Sequence, residues 1–89
     1  MKITKSDLIF NQYGWPDYGA DDPRVSGMLD DTPFNRHEGP EVIHMIEEIC
    51  ALLRLMTKES ARSIEIKIHN DLPSDIRVQH EVWDWICRH

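Results

Sequence analysis

The sequence predicts a small α+β domain that is mainly helical. Three observations carry this expectation. Residues 40 to 58 place apolar side chains at helical spacing. Residues 63 to 69 alternate as a half-buried strand does. The glycines, most prolines and most aromatics gather before or at residue 40. At 89 residues the chain has room for one domain. It divides into a loop-rich aromatic and acidic segment, 1–39, and a compact helix–strand–helix core, 40–89.

In the first segment little is periodic. Lys2-Ile3-Thr4 fits a short strand, and Ser6 fits the N-cap of a short helix through Phe10. Gly14-Trp15-Pro16-Asp17-Tyr18-Gly19 has turn chemistry. Asp22-Pro23 fits the cap and first position of a helical turn reaching about Leu29, and Asp30-Asp31-Thr32-Pro33 reads as a turn.

The helix at about 40–58 is the clearest element. Gly39 can cap it, and Pro40 suits its first turn because the missing N–H has no helical partner there. Val42, Met45, Ile46, Ile49, Leu52, Leu53 and Met56 form a wide apolar stripe. Glu41, His44, Glu47, Glu48, Arg54 and Lys58 fall on the polar side. In the strand at about 63–69, Ile64, Ile66 and Ile68 point one way and Glu65, Lys67 and His69 the other. Asn70-Asp71-Leu72-Pro73 is a turn. A C-terminal helix at about 75–87 then buries Ile76, Val82, Trp83 and Ile86, although the alternation at 76–79 also permits a short strand first. One strand needs a partner, which the N-terminus, residues 76–79 or a second copy of the chain would supply.

Composition restricts the function. Ten basic and sixteen acidic residues give a formal charge of −6. A protein that binds nucleic acid directly needs a cationic face to displace counterions, so no direct nucleic-acid contact is expected. A basic protein partner suits the charge better. Two cysteines, Cys50 and Cys87, are too few for a disulfide framework and read as reduced thiols. No apolar run approaches a membrane span, and the first residues lack the apolar core of a signal peptide. The expected location is the cytoplasm, with no membrane contact.

No nucleophile elbow, phosphate loop or dinucleotide fingerprint occurs, so no enzymatic activity and no cofactor are expected. Glu41, His44 and Glu48 share a helix face and define a metal-binding alternative, but they match no established ligand spacing, and no metal is expected. Phe10, Tyr13, Trp15 and Tyr18 crowd one loop. They either anchor a partner or complete a small core. The surface expected to meet a partner comprises Trp15 and Tyr18, the loop acids Asp17, Asp21, Asp22, Asp30 and Asp31, and Trp85. Trp85 cannot face the core together with Trp83, two positions earlier.

Two resemblances extend these readings. His37-Glu38-Gly39-Pro40 resembles the exposed loop with which retroviral capsid proteins engage cyclophilin-type prolyl isomerases. It implies an isomerase contact through His37, Gly39 and Pro40, provided Pro40 is exposed and not tucked into the helix. The chain differs from that loop at the bulky Glu38 and the acidic Glu41. In size, acidity and loop-rich character, and without a shared motif, the chain also resembles small temperate-phage accessory proteins that inhibit host nucleases, of the anti-RecBCD or anti-CRISPR type. That implies stoichiometric inhibition of a host complex that handles nucleic acid. The alternative is a small structural subunit acting as a homodimer.

Overall fold

The computed structural model describes residues 2–19 and 21–89. Three α-helices organise it: α1 (Gly39–Leu53), α2 (Lys58–Ile66) and α3 (Gln79–Arg88). Helix α1 packs against both of the others. Its Val42, Met45, Ile46, Ile49 and Cys50 are essentially inaccessible to solvent and form the core's centre. Ala61, Ile64 and Ile68 close one side, and Val82 and Ile86 the other.

The architecture corrects the predicted fold class. Residues 63–69 are helical, not a strand, and the only β pairings among the described residues are two isolated bridges, Gly14 with Glu38 and Pro33 with Val78. The alternation of Ile64, Ile66 and Ile68 misleads because only Ile64 and Ile68 are buried, four apart, while Ile66 is exposed. The true inner face is Ala61, Ile64, Glu65, Ile68 and Leu72. Its period is helical, and a buried carboxylate interrupts it. The helix opens at Thr57, whose hydroxyl accepts from the Ser60 N–H at 3.1 Å, and continues through a π-helical stretch, Lys67–Asp71.

Helix α1 is also shorter than predicted. It stops at Leu53, and Arg54 takes the left-handed conformation at φ 55°. The Leu55 N–H then donates back to Cys50 O at 2.9 Å. Helix α3 starts at Gln79, later than expected, because Val78 is held in its antiparallel bridge to Pro33. At the N-terminus neither the predicted strand nor the helix from Ser6 forms. Ile3 is buried, its N–H donating to Glu47 at 2.8 Å, and Lys5–Asp7 makes one 3-10 turn. Residues 22–29 form turns and no helix.

Three buried polar side chains tie the first segment to the helices. Glu65 accepts from the N–H groups of Ile9 (2.8 Å) and Phe10 (3.2 Å) and from the Tyr13 hydroxyl. Glu41 accepts from the Asn35 N–H (3.0 Å) and the Tyr18 hydroxyl (2.7 Å). Gln79 accepts from the Asp30 N–H and donates to the carbonyls of Pro23 and Arg24. Arg36 works in the opposite direction, reaching from the loop to the carbonyls of Ile68, Leu72 and Pro73 where the π-helical stretch ends. Buried polar groups are costly unless bonded, so each of these contacts holds the first segment in place.

Candidate functional site

The predicted contact residues meet different fates. Tyr18 is half-buried, and burial together with the Glu41 carboxylate pushes its hydroxyl up to about 12. The Arg24 guanidinium lies 4.0 Å over its ring and also grips Asp22 at 2.7 Å. That contact, with the Arg24 backbone N–H, holds the Asp22 carboxyl down to about 2. Asp30 caps its own turn by accepting from the Thr32 N–H at 2.8 Å, and bonding to Thr32 lowers it too. Asp17, Asp21 and Asp31 are exposed. Of these, Asp31 meets His80 at 2.8 Å.

Trp15 is 39% exposed but docked. Its ring edge lies where a Cβ on Gly39 would stand, so glycine at 39 is what lets the indole lie on the start of α1. The Gly39 N–H donates to Gly14 O, and the Gly14 N–H to His37 O, both at 2.8 Å. Gly39 and Pro40 are thus the first residues of α1, with Gly39 buried and Pro40 half-buried. This corrects the isomerase expectation for His37, Gly39 and Pro40. The extended, exposed Gly-Pro loop that the resemblance requires is not formed.

The residues of the metal alternative are also placed differently from expectation. Glu41 and His44, placed by sequence on a solvated face, are both buried, Glu41 against the first segment. Glu41 is engaged by Tyr18 and Asn35, and His44 Nδ1 stands 4.0 Å from Glu48. Among the described residues no group of three metal-ligating side chains converges. Burial raises both thiols, Cys50 and Cys87, away from the reactive thiolate.

The surface that stands out was not singled out by sequence. Met28, 86% exposed, and Leu29 face Leu52, 55% exposed, and Trp83 across a groove of about 290 Å³. Glu48 and His80 stand at its rim. Trp83 continues into an adjoining depression of about 430 Å³ with Ile76 and Trp85, where Trp85 stacks on His89 at 4.4 Å. Trp85, an expected contact, therefore adjoins this groove, while Trp15 and Tyr18 do not line it. Leu53 and Met56 leave further apolar surface exposed around the end of α1. The signal available in sequence was the excess of the α1 stripe: Leu52, Leu53 and Met56 exceed what two flanking helices can cover.

No helix of the described residues is long and apolar enough to cross a membrane. Comparison with protein-family models, with curated proteins and with solved structures finds no match.

Proposed function

We propose that this chain is a non-enzymatic protein-binding module. Its docking face is the groove of Met28, Leu29, Leu52 and Trp83. The carrying observation is a contiguous apolar surface on a small domain whose other loops are tied down. Clustered exposed apolar side chains mark interaction sites, whereas scattered ones do not. An aromatic at the centre with aliphatic neighbours is the usual composition of an interface anchor.

The occupant is an amphipathic helix of a basic partner. A groove between a helix end, a second helix and a loop accepts apolar side chains at helical spacing. Glu48 lines the groove and Glu81 the adjoining depression, and these two carboxylates can meet a basic partner, whereas Asp31 and Asp84 nearby are already paired with His80 and Arg88. Proteins that hold nucleic acid are one source of such basic segments. On this reading the chain is an inhibitor or modulator of a host complex that handles DNA or RNA.

Affinity capture from a bacterial lysate with wild-type protein and with Leu52→Asp tests it. Capture of a basic nucleic-acid-handling protein, lost in Leu52→Asp and retained in the control Arg62→Ala, is expected. Equal capture by all three proteins, or none by wild type, overturns the proposal. The same apolar face favours a second reading, a homodimer. A wild-type dimer mass that Leu52→Asp converts to monomer, with no heterologous partner, would establish it.

A further inference from the structure

On another part of the surface, a second groove of about 620 Å³ has a different chemistry. Its lining includes Arg36, His37, His69 and Arg77, and no acidic residue. In a chain of formal charge −6 this is an unusual local composition. The remaining walls divide into polar Asn35 and Ser74 and apolar Pro33, Phe34 and Ile76. The nearby carboxylates are directed elsewhere. Glu38 lies against Gly14, and Asp71 and Asp75 are exposed without lining the groove.

The donors have capacity to spare. Arg36 has five N–H groups and makes three bonds, to the carbonyls of Ile68, Leu72 and Pro73. Those bonds hold the guanidinium in place without neutralising it. Arg77 is exposed and uses its Nε–H on Ser74 O at 3.1 Å, and the four N–H groups on its terminal nitrogens carry no bond to a described residue. His69 is oriented from behind. Glu65 accepts the Tyr13 O–H, so the Tyr13 oxygen in turn accepts from His69 Nε2 at 2.8 Å. The relay leaves His69 Nδ1 as the nitrogen that can face a ligand. Phe10 packs against the same ring at 4.7 Å.

We propose that this groove binds a small organic phosphate, its phosphate held by Arg77, Arg36 and His69 and its apolar or aromatic body lying on Phe34, Pro33 and Ile76. A tetrahedral dianion suits a forked guanidinium and an imidazolium better than it suits a lone ammonium. The volume is in the range of small-molecule sites, and a lining that holds both basic and apolar side chains suits a phosphate ester better than the free ion. The site shares no residue with the docking groove itself and only Ile76 with the depression beside it, so either can fail while the other stands.

Binding is coupled to protonation of His69. Several groups bear on that ring. Burial lowers its proton affinity first, Glu65 of α2 raises it, and Arg36 and His37 of the facing loop lower it again. Tyr13, whose hydroxyl burial and Glu65 both push well up, stays protonated throughout. The unliganded ring is therefore neutral at neutral pH. A bound dianion favours the imidazolium, so binding takes up a proton and strengthens as pH falls from 8 to 6.

Titration calorimetry and NMR with three probes test this: phenyl phosphate, inorganic phosphate and inorganic sulfate. Phenyl phosphate is expected to bind more tightly than inorganic phosphate, with shifts confined to residues 33–37 and 69–77. Sulfate does not titrate between pH 6 and 8, so stronger sulfate binding at pH 6 reports the protein's own proton. Arg77→Ala, an exposed change that leaves the Tyr13–Glu65 relay intact, should weaken phenyl phosphate roughly tenfold or more, while Arg62→Ala on α2 should not. No binding at millimolar phenyl phosphate, or equal binding by Arg77→Ala and wild type, overturns the proposal. Sulfate binding that is independent of pH overturns the coupling to His69.

Discussion

Glu65 illustrates how much one buried side chain can organise. It is 1% exposed, sits on the inner face of α2, and receives two backbone N–H groups and a phenol from a loop more than fifty positions earlier. Removing it leaves three part-buried donors without their acceptor. That costs more than the bonds themselves are worth, because each orphaned group keeps its desolvation penalty. Glu65→Ala should therefore destabilise the chain by about 3 kcal/mol or more in urea unfolding. Glu65→Gln, which keeps one acceptor oxygen, should lose less. A change under about 0.5 kcal/mol for Glu65→Ala, the range of ordinary surface substitutions, would show that the loop does not depend on this carboxylate. The same residue explains a failure of sequence reading. An acid between Ile64 and Ile66 looks like the polar half of a strand, and nothing local announces that it faces inward.

The break between α1 and α2 belongs to the scale of elements. A single helix over 40–58 is a reasonable reading of the apolar stripe, and its first fourteen positions, from Pro40 to Leu53, are helical. Two features separate α1 from α2. Thr57 is an N-cap residue type and bonds the Ser60 N–H, a start signal present in the sequence but hidden inside a continuing apolar pattern. Arg54 adopts the left-handed conformation that normally goes to glycine, so the stop signal was absent altogether. Arg54→Gly should raise stability by about 0.5–1 kcal/mol, since relief of the left-handed strain exceeds the added freedom of the unfolded chain. The thermal midpoint should rise by a few degrees. A fall would mean that the Arg54 side chain makes stabilising contacts. At this scale the sequence made α1 and most of α3 legible, since each has a strongly amphipathic pattern. Helix α2 was not, because it is only nine residues long and its three alternating isoleucines and inward-facing glutamate fit a half-buried strand as well as a helix. The docking groove was only half legible. Its α1 and α3 residues lie on recognised helices, but Met28 reaches it through a loop whose path is set by Gln79, a tertiary contact with no local signal.

For the molecule as a whole the question is whether the first segment is a passive covering or part of one folding unit. Ionic contacts join it to the core at Asp7, which Lys58 meets at 2.7 Å, and the bonds from Lys58 and Thr4 hold that carboxyl down to about 2. Sterically, the Trp15 ring edge occupies the space that a side chain on Gly39 would need. The two possibilities differ in how Gly39→Ala behaves. If the segment merely covers the helices, alanine at the first position of α1 is neutral or stabilises by up to about 1 kcal/mol, because it lowers the entropy lost on folding. If the segment folds with the core, the new methyl meets the Trp15 ring edge, and the indole or the strand of loop bridged to Glu38 must move. The expected cost is then about 1–3 kcal/mol, the range of overpacking in a close-packed site. Combining it with Trp15→Ala isolates the contact, since the double variant should recover most of the cost of Gly39→Ala. A coupling energy above about 1 kcal/mol, with one unfolding transition seen by both fluorescence and circular dichroism, would establish loop and helices as a single cooperative unit. Additive effects would instead leave the loop free of the core, and the Met28 wall of the docking groove would lose its fixed position with it.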